Sequence, residues 1–278
     1  MTTTTASAPA GARPEQGAPT FGATFAGELI KLNTSRGVRR NLLLGALLGI
    51  GFTVLICVVT GATFDNLDAA QRATVNSLET SLAGNLFLVI FFGAAAVNLV
   101  ATEYSSKMIR LTFSVTPRRT PVIVAKACAI GIATLLAALV AMFVMLAAGA
   151  FILGAYDVPH VGLGDRELWE TLVRSAVVAP VIPVIGVFVT FMLRGTAASL
   201  STVLAIVFVP LMFGGLFPRW WQENVIAALP GPAADSIAIG NLSSSDLHLP
   251  VGFAVVAIVA WIVVLFAAAR TVVMRRDA

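Results

Sequence analysis

Few side chains in this 278-residue sequence could do covalent chemistry, and their spacing argues against it. Only 12% of the residues are charged. His160 and His248 stand far apart, and neither His-Glu-x-x-His nor Gly-x-Ser-x-Gly occurs, so the parts for a zinc-bound water or an activated serine are missing. No Gly-x-x-x-x-Gly-Lys-Ser/Thr is present to cradle a phosphate. Cys57 and Cys128 form no Cys-x-x-Cys or His/Cys cluster and are predicted to be buried packing residues. The expectation is a chain that is not an enzyme and holds no metal or cofactor of its own. What remains is ion pairing, hydrogen bonding and docking.

That chemistry concentrates in two amphipathic segments. Between residues 103 and 115, Tyr104, Met108, Leu111 and Val115 line one helical face, with Glu103, Lys107, Arg110 and Ser114 on another. Glu103 and Lys107 have the i,i+4 spacing and the acid-first order that favour an ion pair. Pro117 stops the helix, Arg118 and Arg119 follow, and Pro121 restarts it. Such a short helix either docks a cytoplasmic partner or rests on anionic lipid, and the residues alone leave both open. The second segment precedes a basic run of Arg36, Arg39 and Arg40. Its Phe21, Phe25, Leu29 and Leu32 recur at helical spacing opposite Thr24, Glu28, Lys31 and Ser35, which predicts a helix lying along a membrane interface or packed on the protein itself.

The elements that must position these segments are membrane spans. Hydrophobic residues make up 58% of the chain, and a soluble domain carries roughly 25% charged residues, about twice the share found here. Six uncharged apolar stretches, at about 41–64, 80–102, 121–156, 175–193, 195–217 and 247–269, are each long enough to cross a bilayer, for which about 20 residues suffice. In the third, the charge-free part begins after Lys126. The fold class is therefore all-α: an integral membrane bundle of six transmembrane helices over residues 21–278, after a disordered cytoplasmic tail at 1–20 rich in Thr, Ala, Pro and Gly. The segments before the first span, after the second, after the fourth and after the sixth hold 14 basic and 4 acidic residues, against 4 and 10 in the other three loops. The positive-inside rule then puts both termini in the cytoplasm. The excess of Lys and Arg is a matter of sidedness and implies no nucleic-acid partner. No span is expected to carry a buried Asp, Glu, Lys or Arg, which disfavours an ion-coupled carrier.

Smaller signals refine the bundle. Pro180 and Pro183 in the fourth span and Pro210 in the fifth predict kinks. Gly45 and Gly49 permit close helix contact, within the chain or at a subunit interface. Asn85, Asn98, Thr134, Thr190, Ser199, Ser201 and Thr202 are polar groups inside spans, expected to bond between helices; Asn85, Asn98, Thr190 and Ser199 are also candidates for a substrate path. The loop after the fifth span, with Pro218, Trp220, Trp221 and Pro230-Gly231-Pro232, predicts a re-entrant outer hairpin.

From Phe21 to Asp277 the pattern resembles the membrane permease subunit of type-2 ABC exporters. The residues that carry the resemblance are the helix from Thr24 to Leu32, the stretch from Glu103 through Arg110, then Thr116-Pro117-Arg118-Arg119 with Lys126, the Pro-rich hairpin and the closing Arg275-Arg276-Asp277. The resemblance implies a multi-pass protein of the cytoplasmic (inner or plasma) membrane. It pairs with a copy of itself or a related permease, and two ATPase subunits that bind ATP and Mg dock beneath. It further implies a coupling helix at Glu103, Tyr104, Lys107, Met108, Arg110, Leu111, Arg118 and Arg119, and a path lined by the first, second and fifth spans. A non-transporting membrane anchor or sensor for a cytoplasmic partner is the alternative; no substrate is implied.

Overall fold

The computed structural model describes residues 20–115, 119–240 and 249–276; the tail before Thr20, Arg118 and Asp277 lie outside these. In chain order the α-helices are α1 (Phe21–Thr34), α2 (Arg36–Thr63), α3 (Ala69–Thr74), α4 (Ser77–Ser81), α5 (Asn85–Ser105), α6 (Met108–Val115) and α7 (Arg119–Ala155). They continue as α8 (Arg166–Val178), α9 (Val181–Leu193), α10 (Thr196–Phe213), α11 (Arg219–Trp221), α12 (Pro230–Ala238) and α13 (Val251–Arg276). Six helical stretches are long and apolar enough to cross a membrane: Arg36–Asn66, Asn85–Ser105, Arg119–Ala155, Arg166–Leu193, Thr196–Leu216 and Val251–Arg275. All six predicted spans are thus present, in an all-α bundle.

Local chemistry sets the helix ends. Thr20 caps α1 by accepting from the Ala23 amide at 3.3 Å, and Ser35 caps α2 by accepting from Val38 at 3.4 Å, so the chain turns a corner between the two. The predicted kink at Pro180 is a full break. Pro180 is the N-cap of α9 and Pro183 lies in its first turn, where a missing N–H costs nothing. The fourth span therefore consists of two helices, and it begins at Arg166 rather than near 175 because α8 hides Leu168, Thr171, Leu172, Ser175 and Ala176 and turns its charges outward. Pro210 is accommodated inside α10.

The first two spans pack through small residues. Val38, Asn41, Gly45, Gly49, Thr53, Cys57 and Gly61 form one buried stripe along α2. A Cβ on Gly45 would stand 2.9 Å from the Cβ of Phe91, and one on Gly84 would overlap the Gly49 carbonyl, so the Gly45/Gly49 pair serves a contact with α5 inside the chain. Thr53 completes this crossing: its hydroxyl donates to the Ser81 carbonyl at 3.2 Å and accepts from the Gly84 amide at 3.1 Å. That pairing separates α4 from α5 and starts the second span at Asn85, five residues later than the apolar pattern suggests.

Two expectations fail here. Cys57 is buried, but Cys128 is exposed on the outer side of α7. The span threonines mostly bond to their own helix rather than across it: Thr134 donates to Ile130, Thr190 to Gly186 and Thr202 to Ala198, each four residues back. In a helix that carbonyl is the nearest acceptor and requires no partner helix. Thr53 is the exception.

Candidate functional site: a buried ion-pair cluster beneath a helix joint

At the end of the bundle where α5 finishes and the second half of α1 lies against α7, four charged side chains from three elements meet. Lys126, two turns into α7, is fully buried, and its ammonium lies 2.6 Å from Glu28 Oε2 of α1 and 2.6 Å from Glu103 Oε1 of α5. Lys31 of α1 closes the ring, 2.8 Å from Glu28 Oε1 and 3.1 Å from Glu103 Oε1. Two acids and two bases alternate, so the cluster is neutral as a whole. This overturns the expectation of spans without buried charge. A lone lysine inside the bundle would be prohibitive, but one held by two carboxylates at hydrogen-bonding distance is tolerated. Glu28 and Lys31, expected on the polar face of an interfacial helix, turn inward because α1 lies along α7. Phe21, Leu29 and Ile30 stay exposed, Phe25 is half-buried and Leu32 is buried.

The electrostatics are mutually reinforcing. Burial alone would lower the pKa of Lys31, but its hydrogen bond to Glu28 and the charges of Glu103 and Glu28 outweigh this and hold it above the ordinary lysine value. Around the ring, other basic-end contacts tie the remaining helices together. The Tyr104 ring meets Phe191 of α9 edge-on at 6.2 Å, and the Arg194 guanidinium sits 5.7 Å over the same ring. Arg119 donates to the Val273 carbonyl at 2.9 Å, capping the last turns of α13.

Directly below Glu103 the helix breaks. The spacing predicts an unbroken helix from 103 to 115 with a Glu103–Lys107 pair; instead α5 ends at Ser105 and α6 starts at Met108. Ser105 and Ser106 hydroxyls both donate to the Thr102 carbonyl, at 3.0 and 2.7 Å, which competes with continued helix. Lys107 lies in the left-handed region at φ 59°, where a side chain costs about 1–2 kcal/mol. The bend turns α6 so that Ile109 is 7% exposed and joins Leu32, Val38 and Phe191 in the core, a burial worth roughly 1.5–3 kcal/mol. Met108 and Leu111, on the opposite side, are 53% and 64% exposed.

Glu103 is therefore a buried member of the ion-pair ring, whereas Lys107, Met108 and Leu111 lie at the surface. Asn85 opens α5 and Asn98 lies about 20 Å further along it by helical rise, so the polar span residues do not gather into one site. Thr190 and Ser199 are buried on α9 and α10. Sequence reasoning missed the convergence of Glu28, Lys31, Glu103 and Lys126. The available signal was Lys126 itself, a single charge inside an apolar run, which demands a partner.

Among the described residues no group of His, Cys, Asp and Glu could hold a metal ion. No curated protein matches the chain closely enough to count as a relative. The profile of the ABC-2 family transporter protein matches residues 26–212, a segment that begins on α1, contains the whole ion-pair ring and the joint, and ends in α10. With six apolar spans and two thirds of its length inside that match, the chain is a multi-pass membrane protein that belongs to the ABC-2 family of ABC transporter permeases, a family that in general works as dimers with an ATPase partner.

Proposed function

We propose that this chain is the membrane-spanning half of an ATP-driven exporter in the cytoplasmic (inner or plasma) membrane, with both termini and the basic end of the bundle in the cytoplasm. The observation that most supports the reading is α6. It stands at the basic end with Met108 and Leu111 exposed, while Ile109 on its other side is packed into the core beneath the second span. A partner seated on the exposed side would move the end of α5 and, through Glu103, the last turn of α1 and the start of α7.

In this reading Lys107, Met108, Arg110 and Leu111, with Arg118 and Arg119 beyond, form the docking element for two ATPase subunits per complex. Those subunits bind ATP and Mg and carry out the hydrolysis; this chain catalyses nothing and holds no cofactor. A second copy or a related permease completes the path, Phe21 and Leu29 rest at the lipid interface, and the outer hairpin around α12 closes the far side.

The test is co-purification. The solubilised protein should recover an ATP-hydrolysing chain, and Lys107→Glu with Arg110→Glu should abolish both that recovery and ATP-dependent efflux. A cysteine in place of exposed Arg40 should react with impermeant maleimide only from the cytoplasmic side. Recovery of no ATPase, or labelling of that cysteine from outside intact cells, would overturn the reading.

A further inference from the structure

Three observations at the α5–α6 joint belong to one device. Lys107 is held at φ 59°, in a region that glycine and asparagine occupy readily and lysine does not. Glu103 gives a single oxygen, Oε1, to both Lys126 and Lys31, while its Oε2 is buried and accepts no hydrogen bond from the described residues. Glu103 and Lys107 are four residues apart, acid first, the arrangement that pairs on a continuous helix.

We infer that the joint is a two-state hinge, bent as seen here or straightened into one helix from α5 through α6, with Lys107 the donor that satisfies Glu103 Oε2 in the straight state. Returning Ser106 and Lys107 to helical backbone relieves the left-handed strain and brings the Lys107 ammonium alongside Glu103. The Lys126 and Lys31 bonds to Oε1 are kept, so the ring stays closed. The opposing term is Ile109, which leaves the core cluster it shares with Leu32, Val38 and Phe191 as α6 swings away. Strain relief plus an ion pair stand on one side and one buried isoleucine on the other. These are contributions of similar size, as a bistable element requires. The same swing carries Met108 and Leu111 to a new position, so whatever binds them biases the hinge. That last consequence rests on the proposed ATPase docking; the hinge itself does not.

The experiment uses the full-length protein in lipid nanodiscs without any ATPase. With Cys128→Ser removing the exposed native thiol, nitroxide labels are placed at Leu111 on α6 and at Thr34 at the end of α1, and their separation is read by pulsed electron resonance. Two populations are expected. Lys107→Gly, which removes both the strain and the ammonium, should shift their ratio about tenfold towards the bent one. Ile109→Ala should shift it about tenfold the other way, and the double variant should return close to the starting ratio. A third variant, Lys107→Ala, removes the ammonium but keeps the strain, and should fall between wild type and Lys107→Gly. One invariant distance in all variants, or shifts of the same sign for Lys107→Gly and Ile109→Ala, would overturn the hinge while leaving the ATPase reading intact. Failure to recover an ATPase would do the reverse.

Discussion

Glu28 on α1 and Lys126 on α7 are 98 residues apart in sequence, yet their side chains meet at 2.6 Å with 2% and 0% of their surface exposed. This contact ties a helix that lies beside the bundle to one that runs through it, and Glu103 brings the second span into the same knot. Each charge is tolerable only because the others are present.

Removing one member should therefore be costly, and removing several less than additive. Lys126→Met leaves two buried carboxylates sharing the half-exposed Lys31 as their one remaining cation in the ring, and is expected to lower stability by about 3–5 kcal/mol. Adding Glu28→Gln and Glu103→Gln to it should restore part of that loss. Thermal unfolding of the detergent-solubilised variants reads this directly; a triple variant less stable than Lys126→Met alone would contradict it.

The ring also sets an alkaline limit. Lys31 has a folded-state pKa above its unfolded 10.5, so its contribution is complete below that value and is lost as pH rises through the folded pKa. The melting temperature of the wild-type protein should fall more steeply above about pH 10.5 than that of Lys31→Met. Parallel curves for the two would rule out this role.

At the crossing of α2 and α5 the prediction is steric. Gly84→Ala puts a methyl into the Gly49 carbonyl and should cost about 1–3 kcal/mol, because backbone on both sides must move apart. Gly51→Ala, with nothing within 4 Å, should be neutral or slightly stabilising. Equal melting temperatures for the two variants would show that the helices do not cross there.

On α6, neighbouring residues should separate binding from folding. Leu111→Asp, at a side chain 64% exposed, should leave the melting temperature nearly unchanged and abolish ATPase co-purification. Ile109→Asp, at a side chain 7% exposed, should destabilise the protein outright by burying a charge without a partner. If Leu111→Asp retains the ATPase, α6 is not its seat.

The reach of the sequence can be judged residue by residue. Six spans, a distortion at Pro180 and the basic end of the bundle were legible, because insertion into hydrocarbon and the geometry of proline are local, one-dimensional constraints; the corner at Ser35 and the full break at Pro180 were not. The pairing of Glu103 with Lys107 followed correctly from helical spacing and still did not form. In the bent state seen here, burial of Ile109 and the hydroxyls of Ser105 and Ser106 outweigh the i,i+4 pair, which on an exposed helix is worth about 0.2–0.5 kcal/mol.

What only the tertiary structure decided is which charges face each other. Glu28, Lys31 and Glu103 read individually as flanking polar residues at membrane edges, and Lys126 as a lone charge in an apolar run. Coulomb attraction between them acts over a few ångströms in space, and no spacing rule along the chain reports that α1 folds back onto α7. The sequence determined that this protein lives in a bilayer and which end carries the positive charge, through transfer energies summed along each segment. The three-dimensional packing determined that its second span ends in a strained joint locked to a neutral ring of four charges, since that depends on contacts between helices that no single segment encodes.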